Sequence, residues 1–171
     1  MFMSDDKIIL RAIEPEDLDT LYVIENDEQL WGRGVTNVHY SRYILHNYIA
    51  ESKGDIYADR QVRLMVENAE GETVGIIDLV DFDPSHLRAE IGIVIQRKFR
   101  HKGYAYEALR KMLSYASRIL HLHQLYVYID SDNDISLKLF QKVGFCRTVC
   151  LKDWLYDGKS YHDAILMQYF L

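Results

Sequence analysis

The chain is poor in anything that would cross-link it or carry it through a membrane. Its 171 residues include only two cysteines and two prolines, and no apolar run approaches the ~20 residues a membrane span needs. Cys146 and Cys150 stand four apart in a segment that reads as a strand. That spacing makes neither a CxxC redox pair nor half of a zinc site, and neighbours on one strand are badly placed for a disulfide. Buried free thiols are expected. The seven histidines are scattered, with His121-Leu122-His123 the one close pair, and no His-Glu-x-x-His occurs, so no metal is assigned. Met1 to Asp6 lacks the basic start and apolar stretch of a signal peptide, and a cytoplasmic location is expected. A net charge of −6 argues against a nucleic-acid partner and suits a cationic small molecule.

Charged residues at 27% and hydrophobic ones at 49% describe an ordinary globular chain, long enough for one domain over residues 1–171. Repeats, linkers and low-complexity tracts are absent. Lys7 to Ala12 reads as a strand, and Glu14-Pro15-Glu16-Asp17 opens a helix running to about Glu25. Asn26 to Val38 reads as irregular, and Tyr40 to Glu51 as a second helix. From Gln61 the period changes to two, giving a three-strand meander that ends with Leu87 to Ile95. Ala89, Ile91, Ile93 and Ile95 share one face of that strand, with Glu90, Gly92 and Val94 on the other. The apolar stripe from Ala105 to Leu120 marks a long helix. A strand at Leu125–Ile129 and a short helix between Asn133 and Gly144 follow, and the chain ends in a hairpin turned at Asp157-Gly158. The order β-α-α-β-β-β-α-β-α-β-β is an α/β domain with a mixed, mostly antiparallel central sheet flanked by helices.

The stretch from Glu90 to Ala105 carries the strongest chemical signal. An apolar strand runs into a turn holding Arg97, Lys98, Arg100, His101 and Lys102, and the turn opens onto the long helix. Such a junction aims backbone N–H groups and a helix dipole at one spot, which is how a phosphorylated ligand is held without a metal. No Gly-x-x-x-x-Gly-Lys-Ser/Thr and no Gly-x-Gly-x-x-Gly occurs, so neither a nucleotide P-loop nor a dinucleotide fingerprint is present.

The spacing Arg100-x-x-Gly103-x-Ala105 resembles the acetyl-CoA pyrophosphate loop of the GNAT superfamily of N-acetyltransferases. Asn133-x-x-Ser136-x-x-Leu139-Phe140-x-x-Val143-Gly144-Phe145 is similar to that superfamily's second cofactor helix. The tail from Gly158 to Met167 is similar to the ends of spermidine N-acetyltransferases and of RimJ/RimL-type protein N-terminal acetyltransferases. The order of elements agrees as well, so the resemblance covers nearly the whole chain. It implies acetyl-CoA as co-substrate, a homo-oligomer, and transfer of an acetyl group to a primary amine by direct attack. The acceptor it favours is a small polyamine-like molecule such as spermidine. The alternatives are a protein α-amino group, or a non-catalytic acyl-CoA-binding module.

The resemblance also implies roles for particular residues. Backbone at Ile93, Val94 and Ile95 would pair with the pantetheine arm, and Arg100, His101, Lys102, Gly103, Tyr104 and Ala105 would take the pyrophosphate. Asn133, Ser136 and Phe140 would line the cofactor arm. Glu90 is the candidate base, since an ammonium of pKa ~10 must lose a proton before it attacks. Against this stand plainer readings: Glu90 as a paired strand glutamate, Asn133 as a helix cap, and Phe140 as core. Related spermidine enzymes carry tyrosine where Phe140 stands, and phenylalanine has no proton to give a leaving thiolate; Ser136, Tyr104, Tyr106 or water are the substitutes. Glu28, Trp31 and Asp78 are the candidate acceptor contacts, although Val35-Thr36-Asn37 replaces the paired acids that polyamine enzymes present beyond the tryptophan. Gly92 has two readings, a strand bulge that opens the cofactor slot or a small residue beneath another side chain.

Overall fold

The computed structural model describes residues 7–31 and 38–171, with the Trp31 side chain excluded. Met1 to Asp6 and Gly32 to Asn37, including Val35-Thr36-Asn37, lie outside the described residues. The chain begins with β1 (Ile8–Ala12), a 3-10 turn at Pro15–Asp17, α1 (Leu18–Glu25), α2 (Glu28–Trp31), α3 (Arg42–Glu51) and α4 (Ile56–Asp59). The meander is β2 (Val62–Asn68), β3 (Thr73–Asp83) and β4 (Arg88–Ile95). A 3-10 turn at Arg97–Phe99 then leads to α5 (Tyr104–Arg118), β5 (Gln124–Asp130), α6 (Asp134–Val143), β6 (Cys146–Tyr156) and β7 (Tyr161–Phe170). The two single-turn helices are additions to the expected order. In α4 the Asp55 side chain accepts the Tyr57 N–H at 2.9 Å, and Arg60 at φ 57° stops the turn. Four residues are too few to show a helical period.

Among the described residues seven strands form one sheet in the order β1-β2-β3-β4-β5-β7-β6. Every neighbouring pair is antiparallel except β4 with β5, which α5 connects by a crossover. One face is covered by α5 and α6, whose Ala108, Leu109, Met112, Leu137 and Phe140 pack on Ile77, Leu79, Ala89 and Ile91. The opposite face is covered on its β2–β3–β4 side by α1 and α3, where Leu21, Ile24 and Leu45 meet Met65 and Ile76. On that second face Arg63 donates to both oxygens of Asp78, at 2.7 and 2.8 Å, and also to Glu25.

Two sequence expectations are corrected. Both cysteines are free but exposed, because β6 is an edge strand paired only with β7 and bears almost no covering structure. Gly92 fits neither of its readings. The β3–β4 register runs unbroken from Ile95 to Glu90, and a Cβ placed on Gly92 would meet nothing within 4 Å. The irregularity lies instead in β3, between Val80 and Asp83, where Asp81 takes φ 50°. The glycine that the sheet does require is Gly75, whose Cβ would lie 2.2 Å from the Val94 carbonyl oxygen.

Candidate active site at the split between β4 and β5

The parallel ladder between β4 and β5 holds only Arg88 with Gln124, Ala89 with Leu125 and Glu90 with Tyr126. Beyond Glu90 the strands part, though β4 continues to Ile95 and β5 to Asp130. Among the described residues the β4 edge from Ile91 to Ile95 therefore has no strand partner on that side, and its alternate N–H and C=O groups face a cleft that an extended chain fits. Ile93, Val94 and Ile95 lie on this edge. The Ile95 carbonyl already accepts the Arg100 Nε at 3.0 Å, which ties the basic turn to the strand end.

That turn ends in two left-handed residues, His101 at φ 62° and Gly103 at φ 85°, with Gly103 in the N-cap position of α5. Among the described residues, the backbone N–H groups of His101, Gly103, Tyr104 and Ala105 have no protein acceptor. Orphan donors at the start of a 15-residue helix form an anion cradle. The Lys7 ammonium, bound to the Lys102 carbonyl at 3.1 Å, adds positive charge beside it. Gly103 is needed for its backbone angle rather than for space, since its Cβ would approach only the Lys7 Nζ, at 3.6 Å.

Glu90 points away from the Ile91 face, so its half-buried carboxylate lies on the second face at the point where the ladder ends. Burial, and then the charge of Asp81, push its pKa up to about 7, and a hydrogen bond from the Tyr128 backbone works the other way. The Tyr126 hydroxyl is pushed up to about 12 by burial and by Glu90 and Asp81. Beside Glu90, on the same face, Arg88, Gln124, Tyr126, Tyr128, Leu166 and Gln168 line a hollow of about 240 Å³. Tyr126 and Tyr128 were missed as site residues. The two-residue period of β5 was the available signal, since it puts both rings on the Glu90 face.

The other expected site residues divide. Asn133 caps α6, its side chain accepting the Ser136 N–H at 3.3 Å. Phe140 is 3% exposed and meets Phe145 edge-on at 5.0 Å, which makes it core. Asp78 is committed to Arg63 and offers no free carboxylate to a ligand. Glu28 is exposed and 3.3 Å from His39, and Trp31 ends α2. Arg97 of the basic turn is paired with Asp27 at 3.1 Å. Away from the split, ligand atoms of Asp130, Asp132 and His162 lie within 4.8 Å of one another, while His162 also contacts Asp157 at 3.0 Å. No helix among the described residues is long and apolar enough to cross a membrane.

Comparison with known proteins agrees with this architecture. The profile described as "Acetyltransferase (GNAT) domain" matches residues 7–146. Spermidine N(1)-acetyltransferase of Escherichia coli K12 is 27% identical over 168 residues, spanning 96% of this chain and 86% of that protein. The putative ribosomal N-acetyltransferase YdaF of Bacillus subtilis is 27% identical over 165 residues, spanning 94% and 90%. Spermidine N-acetyltransferase from Vibrio cholerae, solved in complex with CoA and spermine, has the same fold at a TM-score of 0.88 and 24% identity, covering 97% of this chain and 96% of that one. The profile match takes in the split, the cradle and the whole of α6, and on that ground the chain belongs to the GNAT acetyltransferase family and is an acetyl-CoA-dependent N-acetyltransferase.

Proposed function

We propose that this protein acetylates a small polyamine-like amine such as spermidine, with Glu90 as the base. The observation that carries the reading is the position of Glu90. It is the last paired residue before the split, it is half-buried, and its pKa of about 7 suits a group that must take a proton near neutral pH. The unpaired edge at Ile93–Ile95 fits an extended pantetheine arm, and the N–H groups from His101 to Ala105 fit its pyrophosphate. An N–H from that edge would then meet the thioester oxygen as negative charge develops on it.

Glu90, directly or through water, accepts a proton from the acceptor ammonium. The freed lone pair forms the C–N bond, the C–S bond breaks with its electron pair on sulfur, and the extra proton on the new amide nitrogen passes through water to the departing thiolate. A thiol of pKa ~8.5 is a tolerable leaving group. Phe140, buried against Phe145, donates no proton to it. The cationic acceptor is supported by the carboxylates of Glu90 and Asp81 and by the net charge of −6.

The test is steady-state CoA release over a panel of spermidine, spermine, simple monoamines and peptides with a free N-terminus. Turnover highest with polyamines supports the reading. Turnover confined to peptides replaces the acceptor, and acetyl-CoA binding without release for any amine removes the enzyme.

A further inference from the structure

We infer that Tyr126, Tyr128 and Trp154 form a cation–π wall that holds the chain of a polyammonium acceptor, with Trp154 as a specificity-determining residue. The inference rests on the small-amine reading above and names how that acceptor is recognised. Tyr126 and Tyr128 meet edge-on with centroids 5.8 Å apart, and Trp154 stacks on Tyr128 at 5.9 Å and 29°. The row thus begins at the cross-strand partner of Glu90 and runs away from it across β5 onto the edge strand β6.

Aromatic pairs on a sheet face are often simple cross-strand packing. Such packing stabilises most when it is fully buried, and here the tyrosines are only part-buried and the Trp154 end of the row stands open. The apolar cluster beneath α1 and α3 takes its strand residues from β2, β3 and β4 only. Trp154 is 55% exposed, and the two tyrosines line the open hollow.

The charge at both ends selects the ligand's sign. Glu90 and Asp81 lie at one end. At the other, Asp130, Asp132 and Asp157 surround His162, three carboxylates against one imidazole. Arg88, which lines the hollow, is paired with Asp83 at 3.1 Å. Asp130 lies four steps along the strand from Tyr126, about 13 Å at the usual rise. A long aliphatic chain with spaced ammonium groups matches this surface, its methylenes on the rings and its charges over their faces. An anion would meet carboxylates at each end.

The experiment compares kcat and KM for spermine and for a short monoamine in the wild-type protein, Trp154→Leu, Trp154→Tyr and Tyr128→Leu, with thermal melts to confirm folding. Both leucine variants should lower the spermine-to-monoamine ratio of kcat/KM about three- to ten-fold, mainly through the spermine KM, and Trp154→Tyr should restore most of it. An unchanged ratio in folded leucine variants, while the wild type acetylates spermine, overturns the wall alone. No turnover of any polyamine by the wild type overturns the acceptor reading, and the wall with it.

Discussion

Glu90 and Tyr126 are the last facing pair of the parallel β4–β5 ladder, and beyond them the strands separate. One structural event therefore does two things. It frees the β4 edge for an extended ligand, and it leaves a half-buried carboxylate at the mouth of the opening. Burial and the nearby Asp81 then hold that carboxylate near neutrality. A surface glutamate would be a far weaker base, and a fully enclosed one would be out of the acceptor's reach.

The first prediction concerns pH. Since Glu90 must be ionised to accept a proton, kcat/KM should rise with an acid limb near pH 7. Glu90→Gln should remove that limb and lower kcat by about 10²- to 10⁴-fold. Asp81→Asn removes a charge that raises the Glu90 pKa, so the limb should move to lower pH. A pH–rate profile of the three proteins decides the matter, and an unmoved limb in Glu90→Gln excludes this base.

The same group makes a prediction about stability, with the opposite sign. Glu90 has its folded pKa pushed up to about 7, against 4.5 for an ordinary glutamate. Below ~4.5 both states are protonated; between the two values the folded state keeps a proton that the unfolded state has lost. Stability contributed here therefore falls as pH rises through 7. Glu90→Gln should stabilise the protein at pH 8 by about 1–2 kcal/mol, after allowance for solvent screening, and by almost nothing at pH 4. Denaturant midpoints at the two pH values measure this.

Gly103→Val tests the cradle. A β-branched residue at φ 85° is strained, and the helix start must shift to relieve it. The expected result is a KM for acetyl-CoA raised about ten-fold, with destabilisation of about 1–2 kcal/mol. Loss of stability with an unchanged acetyl-CoA KM would show that the turn is only a helix cap.

Much of this was legible in the sequence where a period repeats. The α5 stripe, the meander and the Asn133 and Gly144 caps follow from spacing, whereas Glu90 is singled out by the family resemblance, with alternation showing only which face of the strand it takes. Burial was harder to read where it depends on a strand's neighbours. Cys146 and Cys150 were expected inside, yet nothing in the local sequence says that β7 inserts between β5 and β6 and leaves β6 at the edge. Asp78 looked available for the same reason, since Arg63 faces it only through the β2–β3 register. The aromatic row also needs tertiary contact, because Trp154 and Tyr128 are distant in sequence.

Asp78→Asn separates a structural carboxylate from a ligand contact. Asp78 and Glu25 hold Arg63 firmly protonated, and each of these side chains is about 20% exposed. Removing one charge leaves the guanidinium half-compensated away from water, at a cost of about 2–3 kcal/mol. The acceptor KM of the folded enzyme should stay within about two-fold of wild type, since Asp78 is already tied to Arg63 and offers a passing amine no free carboxylate. A larger rise in KM with no loss of stability would return Asp78 to the acceptor site.

Gly92→Val asks what the empty space above β4 is for. The residue has ordinary strand geometry, faces Asp78 across the ladder and lies on the same face as Glu90, and a Cβ there touches nothing within 4 Å. Folding should therefore benefit, because valine favours a strand and glycine carries excess chain entropy, by about 0.5–1 kcal/mol. The new side chain would also fill the ground between Glu90 and Val94 that an amine crosses to reach the split. Acceptor KM should rise and kcat fall, while the acetyl-CoA KM holds. Calorimetry and steady-state kinetics on the one variant separate the effects: a higher melting temperature with slower acetylation supports an acceptor channel over Gly92, whereas the same stabilisation with unaltered kinetics moves the channel elsewhere.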